Sequence, residues 1–314
     1  MYNKLKLKKI EFENQNINSK QIMKGLFNCY KKYAFSTFPY MYEELSSNNG
    51  LNKYNSGNCI SLSISLKNYL KENHNIKSYL IPATIPKKYS QSGYLEISHV
   101  SLLIPKNKKT CYIADPAFYF INPIKSNVDK KKGISTVYSK RIYNKENNKE
   151  PKDYTSLEKI VYEEKELPED LYLNKYQIIP KSTKYSIVNN TDDILDKWKY
   201  YLIEVLNPDE AISNFFINVL KRPFILTTKM DNNGICCMDV YLKMINKNNN
   251  INLEITCNDK LQLINLENIS ENELRNRLSI YEKKLDKYFN GKLIDVLLNC
   301  KNKLKNKSVY KIED

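Results

Sequence analysis

Glycine and histidine are scarce in this chain, and each scarcity excludes something. The 314 residues include 7 glycines, Gly25, Gly50, Gly57, Gly93, Gly133, Gly234 and Gly291, and no two are close enough to build a Gly-rich phosphate cradle of the dinucleotide or P-loop kind. Any mechanism that needs an imidazole has 2 histidines to draw on, His74 and His99. No run of about eighteen apolar residues occurs, so no membrane-spanning helix is expected. The basic N-terminus, MYNKLKLKKIEFE, has no apolar core like that of a secretory signal, and a cytoplasmic protein is expected. The 7 cysteines are odd in number, scattered and mostly set in apolar runs, the pattern of reduced, buried thiols. None of them forms a pair with the two-residue spacing of a zinc site, so no metal is expected.

What is present fits a globular protein of about two domains. Hydrophobic residues make up 41% and charged residues 27%, enough for a sizeable core. The formal net charge of +15 is carried almost wholly by Lys, with Arg at Arg141, Arg222, Arg275 and Arg277. Lys travels with Asn, Ile and Tyr throughout, as in AT-rich coding sequence, and no nucleic-acid motif accompanies it. Dedicated nucleic-acid binding is therefore not expected, and the charge suits attraction of an anionic substrate instead.

Periodicity predicts a helix over 18–35, with Ile22, Leu26, Cys29, Tyr30 and Tyr33 on one face. FPYMYEEL (38–45) leads into a polar stretch, 46–58, read as a loop. A second helix is expected over 59–72 with Leu62, Leu66, Tyr69 and Leu70 facing inward, so its N-terminal end carries Cys59. Strands are expected at 77–85, 97–105, 111–120, 134–143 and 175–180, with surface loops at 125–133 and 144–153. Residues 195–206 read as either helix or strand, 207–221 as a helix opened by Asn207-Pro208, and 224–245 as a hairpin turning at Asn233-Gly234. A strand at 252–256 follows. Ser270 and Glu273 form a capping-box pattern ahead of Leu274, Leu278, Tyr281, Leu285 and Tyr288, and a last helix covers 291–305.

His74 sits in the polar segment KENHNIK, past a helix end, where a solvated or capping role is expected. His99 lies inside the apolar run ISHVSLLIP, as either a satisfied core residue or a working one. Two neighbours favour work. Cys59 follows Ser56-Gly57-Asn58 at a helix start, where exposed amides and the helix dipole favour the thiolate. Asp115 ends the next strand, CYIAD, immediately before Pro116, from which a carboxylate can reach an imidazole nitrogen. Cys59 as nucleophile, His99 as general base and then acid, and Asp115 as the group that orients the imidazole would each have a needed task.

The segments SGNCISLSISLKNYL, ISHVSLLI and YIADPAF resemble the papain-like transglutaminase superfamily, and most closely its arylamine N-acetyltransferase branch. IPKKYS (85–90), FPYMYEEL and the stretch from ISNFFINVLKRPFILTTKM through the following hairpin resemble other parts of the same family, so the likeness covers most of the chain loosely. It implies an α+β fold with a papain-like core in three parts: a helical domain, 1–76, carrying Cys59; an antiparallel β-barrel, 77–194, carrying His99 and Asp115; and an α/β lid, 195–314. It also implies acetyl-CoA as acyl donor and a small amine as acceptor, with the acyl group held on Cys59 in between. Two motifs depart from the family pattern. The usual Arg-Gly-Gly-x-Cys is here Asn55-Ser56-Gly57-Asn58-Cys59, and the Val-Gly-Phe-Gly that typically follows the Asp is Pro116-Ala117-Phe118-Tyr119. A transglutaminase-like thiol hydrolase or amide-exchange enzyme, which Asp115-Pro116 favours, and an idle binding protein of the same fold are the alternative readings.

Overall fold

The computed structural model describes residues 8–43, 47–84, 97–118, 123–127, 134–139, 158–166, 174–181, 199–202, 204–205, 223–230, 236–247, 250–257 and 260–305. The chain divides into two compact units, one of Met1–Cys29, Ser63–Arg141 and Pro151–Phe215, the other of Tyr30–Leu62, Ile142–Glu150 and Phe216–Asp314. The division falls inside two helices, α1 (Ser19–Lys32) and α4 (Cys59–His74).

The first unit is built on an eight-stranded sheet in the order β7-β6-β5-β4-β11-β10-β9-β8. Its strands are β4 (Tyr79–Thr84), β5 (Ile97–Pro105), β6 (Thr110–Ala114), β7 (Ile124–Asn127), β8 (Ile134–Ser139), β9 (Glu158–Glu166), β10 (Asn174–Lys181) and β11 (Lys199–Leu202), and every pairing is antiparallel. A separate short pair joins β1 (Lys8–Lys9) to β12 (Glu204–Val205). The near-continuous apolar run of β5 follows from burial of both its faces: Val100, Ser101, Leu102, Leu103 and Ile104 are all inaccessible to solvent. Ile22 and Leu26 of α1 and Leu66 and Leu70 of α4 are buried at helical spacing. Gly25 allows close approach there, since a Cβ would stand 2.7 Å from Leu66 Cδ1 and 2.9 Å from a Tyr69 ring carbon.

The second unit holds a six-stranded sheet in the order β16-β15-β14-β13-β2-β3. Here β2 (Ala34–Ser36) pairs in parallel with β3 (Ser56–Gly57), whereas β13 (Phe224–Met230), β14 (Cys236–Lys247), β15 (Asn250–Cys257) and β16 (Lys260–Asn265) continue antiparallel. Val240, Leu242 and Met244 of β14 alternate inward with Ile251, Leu253 and Ile255 of β15. Leu274, Leu278, Tyr281 and Leu285 of α5 (Glu271–Leu285) join that core with Leu293, Val296 and Leu297 of α6 (Leu293–Lys305). The expected cap is present: Ser270 Oγ accepts from the Glu273 amide at 3.2 Å. Two short helices, α2 (Phe38–Glu43) and α3 (Ser47–Tyr54), complete the unit.

Several expectations are corrected. The α+β class holds; among the described residues β4–β11 form a single sheet whose hydrogen-bonded order ends at β7 and β8, and the expected barrel is not seen closed. The polar stretch read as a loop contains α3, because Leu51 and Tyr54, three residues apart, supply enough of a buried face to override its composition. Residues 124–127, partly inside an expected loop, form β7, an edge strand whose ladder with β6 needs no apolar pattern on exposed Lys125. Residues 195–206 yield β11 and β12, and β9 and β16 were not anticipated. The helix expected at 207–221, the Asn233-Gly234 turn, IPKKYS and the loop at 144–153 lie outside the described residues.

Cys111 on β6 is fully buried, and burial pushes its thiol up from 9.0 to about 12. The folded state therefore holds a proton that the unfolded chain releases above pH 9, and stability present below pH 9 is lost as pH rises toward 12. Cys111→Ala is expected to flatten that decline by about 1.4 kcal/mol per pH unit between pH 9 and 12, measured by urea unfolding across the range.

Candidate active site

In the second unit, the approach to Cys59 is set by sheet pairing. Ala34 lies opposite Ser56 and Phe35 opposite Gly57, so the edge strand β3 delivers the chain directly to the start of α4. Asn55 turns the chain into β3 with φ 48°, a left-handed conformation that Asn tolerates better than most side chains. Its Nδ2 donates to the Lys287 carbonyl at 3.1 Å, and Ser56 Oγ donates to the Tyr288 carbonyl at 2.9 Å.

Asn58 is the N-cap of α4. Its Oδ1 accepts from the amides of Ile60 and Ser61, both at 3.1 Å, and its carbonyl takes the first helical bond, from Leu62 N at 3.1 Å. Cys59 is thus the first residue of the helix, in the turn where the dipole is most positive, and is 7% exposed. The Tyr40 hydroxyl reaches the same turn, accepting from the Asn58 amide at 3.0 Å and lying 2.7 Å from Ser61 Oγ. Burial pushes the Tyr40 phenol up to about 12, with a smaller upward push from Cys59 and opposing hydrogen bonds to Ser61 and Asn58. Gly57 is required: a Cβ there would meet Ser61 Cβ and Oγ at 2.8 Å and Tyr40 Oη at 2.9 Å. Gly57→Ala is expected to destabilise the fold by about 1–3 kcal/mol through overpacking, measured by chemical denaturation.

In the first unit, His99 and Asp115 come together. The β5–β6 ladder pairs Leu102 with Ala114 and Leu103 with Ile113, so one further step along it sets Asp115 opposite Ser101. His99 is two residues from Ser101, hence on the same face and diagonal to Asp115, within reach of side chains of their length. His99 Nε2 and Asp115 Oδ2 are 2.9 Å apart, with His99 3% and Asp115 0% exposed. Ser101 Oγ donates to the Ala114 carbonyl at 2.8 Å, tying the two strands beside the pair. Pro116 then opens a short 3-10 turn, Pro116–Phe118, that ends the strand. Ser63, in the part of α4 that belongs to this unit, donates from Oγ to the Val100 carbonyl at 3.3 Å.

His74 is the last residue of α4, half-buried, its ring edge-on to Tyr69 at 5.9 Å, and its buried Nε2 has no hydrogen-bond partner. It is not a member of the His99–Asp115 pair. Asn58 and Ser61 were missed as working parts of the helix start, although Asn just ahead of a helical apolar pattern is itself an N-cap signal. Cys29, Cys59, Cys111, Cys257 and Cys300 are outside any disulfide; Cys257 is half-buried, with Lys284 Nζ at 3.9 Å from its sulfur. Among the described residues no group of three or more His, Cys, Asp or Glu is placed to hold a metal ion, and no helix is long and apolar enough to cross a membrane.

No family model matches the sequence, and a comparison with curated proteins finds no match. Solved structures do match. The arylamine N-acetyltransferase from Mycobacterium abscessus aligns with a TM-score of 0.52 at 9% identity, over 91% of this chain and 89% of its own. A cysteine-to-glutamine variant of the Mycobacterium smegmatis enzyme gives 0.51 at 9% identity, over 95% and 96%. The Mycobacterium tuberculosis enzyme gives 0.50 at 10% identity, over 90% and 93%. The fold is that of arylamine N-acetyltransferases. The resemblance first carried by short motifs therefore extends, at the level of the fold, over nearly the whole chain.

Proposed function

We propose that this chain is a cysteine-dependent acyltransferase of arylamine N-acetyltransferase type, with Cys59, His99 and Asp115 as its triad. The observation that carries the reading is the buried His99–Asp115 pair, in a chain that shares its fold with acetyltransferases. A carboxylate with no exposure to water is costly unless it is paired, and an imidazole N–H is the partner that converts the cost into orientation. Because Nε2 faces Asp115, Nδ1 is the nitrogen assigned to proton exchange with the thiol.

In this reading His99 removes the Cys59 proton, and the thiolate attacks the carbonyl carbon of an acyl thioester. The carbon–sulfur bond to the donor breaks, the departing thiol takes its proton from the imidazolium, and the acyl group remains on Cys59 as a second thioester of similar energy. An amine then attacks that carbonyl, loses its proton to His99, and departs as the amide while Cys59 regains its thiol. Acetyl-CoA as donor and an arylamine or hydrazine as acceptor follow from the resemblance, and the +15 charge suits an anionic donor. The three-part division at residues 76 and 194 belongs to the same proposal.

Intact-protein mass after brief incubation with acetyl-CoA is expected to show one added acetyl group on the wild type and none on Cys59→Ser. Peptide mapping separates Cys59 from Cys257, the half-buried thiol beside Lys284. An adduct at another residue would overturn the assignment of the nucleophile. No adduct on a folded protein would reject this donor, and release of ammonia or of a peptide fragment from amide substrates would then favour the hydrolase or amide-exchange reading that Asp115-Pro116 supports. Neither activity would leave a binding protein of the same fold. Asp115→Asn is expected to remain folded and to lower the rate of acetyl-enzyme formation by roughly 10^2- to 10^4-fold, whereas His74→Gln leaves it unchanged, both read by stopped-time mass spectrometry.

A further inference from the structure

We propose that the Tyr40 hydroxyl is a positioning residue for Cys59, closing a hydrogen-bond circuit that fixes the first turn of α4 and so the setting of its thiol. The functional consequence rests on the reading of Cys59 as nucleophile; the circuit is a matter of geometry.

Two bonds of the circuit have directions set by chemistry. The Asn58 amide can only donate, so at 3.0 Å the Tyr40 oxygen accepts from it. Asn58 Oδ1 can only accept, so at 3.3 Å Ser61 Oγ donates to it. The two hydroxyls are 2.7 Å apart, a contact in which either can donate, and with Ser61 donating to Asn58 it is Tyr40 that donates to Ser61. The result is a closed ring from Asn58 N–H through Tyr40 and Ser61 back to the Asn58 side chain, with the amides of Ile60 and Ser61 anchored on the same Oδ1. Cys59 lies between the residues that the ring holds. The ring needs a phenol that keeps its proton, and burial of Tyr40, pushing it up to about 12, meets that need at neutral pH.

The local sequence makes room for this one oxygen. A Cβ at Gly50 would stand 2.5 Å from Tyr40 Oη and a Cβ at Gly57 would stand 2.9 Å from it, so two of the chain's few glycines border the hydroxyl. A Phe at position 40 could fill the ring's volume and would leave the Asn58 amide without this acceptor. The first turn would then be held by Asn58 Oδ1 without its brace. A looser turn aligns the amide dipoles less well on the sulfur, and the thiolate is favoured less.

The test is the pH profile of iodoacetamide alkylation at Cys59, quantified by peptide mass spectrometry on the full chain between pH 5 and 9. Tyr40→Phe is expected to stay folded by near-ultraviolet circular dichroism and to move the profile up by about one pH unit, a roughly tenfold slower alkylation below the midpoint. Phe38→Leu, which trims the core on the same short helix where the ring packs edge-on to Phe289, away from the circuit, should lower the melting temperature without moving the profile. If Tyr40→Phe does not fold, Ser61→Ala opens the ring at a smaller side chain and is read in the same way. A wild-type profile in a folded Tyr40→Phe, or in Ser61→Ala where that variant stands in, reduces Tyr40 to packing and overturns the proposal. Failure of the acyltransferase reading would appear separately, as no acetyl adduct on wild type, and leaves the alkylation comparison intact.

Discussion

Amides at the start of a helix have no carbonyl partners within it, and the means by which α4 meets that shortage governs the surroundings of Cys59. Asn58 takes two of the amides on one side-chain oxygen, and Tyr40 takes the amide of Asn58 itself. Neither could do so if the chain arrived from another direction. The parallel pairing of β3 with β2 fixes the line of approach, and the carbonyls of Lys287 and Tyr288 hold Asn55 and Ser56 just ahead of it. Tyr288 and Phe289 are buried with α5 and α6 in the core of the second unit. Apolar burial near the C-terminus is thereby coupled to the geometry of a helix start more than two hundred residues earlier.

The first unit solves a different problem, the placement of a carboxylate where water cannot reach it. Isolated in an apolar interior, Asp115 would bind a proton rather than stay ionised. Its partner is supplied by strand register: with Leu102 opposite Ala114, the face that carries Ser101 also carries His99, one diagonal step from Asp115. Slippage by one residue would turn His99 to the opposite face of the sheet. The apolar residues around it, Val100, Leu102, Leu103, Ile104 and Ile113, are what hold that register, so the packing and the pairing of the two polar groups are one constraint.

Strand and helix periods explain which parts were legible in advance. The bounds of β5 are legible because burial on both faces writes a near-continuous apolar run, and those of α5 because its cap and its inward face agree. The pairing of His99 with Asp115 was readable for the same reason: a strand, a short connection and a second strand ending in Asp admit few registers. α3 was not readable, since Ser47, Asn48, Asn49 and Gly50 carry turn composition and Leu51 with Tyr54 supply the whole apolar signal. β9, EKIVYEEKE, sits in a highly charged stretch and was not picked out as a strand. Tyr40 lies in the FPYMYEEL element, but no task could be assigned to it from sequence, because its contacts with residues 58 and 61 exist only once the fold brings them near.

The departures from the family motif acquire a physical meaning in this light. Of the pattern Arg-Gly-Gly-x-Cys, the glycine kept is Gly57, the position where a Cβ would collide with Ser61 and Tyr40. At the position of the first glycine stands Ser56, whose hydroxyl is occupied by the Tyr288 carbonyl, and at the position of the arginine stands Asn55, which holds the Lys287 carbonyl while turning the chain with a positive φ. Both replacements bond to the same short segment after α5. The steric requirement at Gly57 is met by the same residue type, whereas the chain just ahead of it is anchored here by two short polar side chains. Asn55 and Ser56 thus hold the start of α4 in place through the Lys287 and Tyr288 carbonyls, and the setting of Cys59 is accounted for from within the second unit alone.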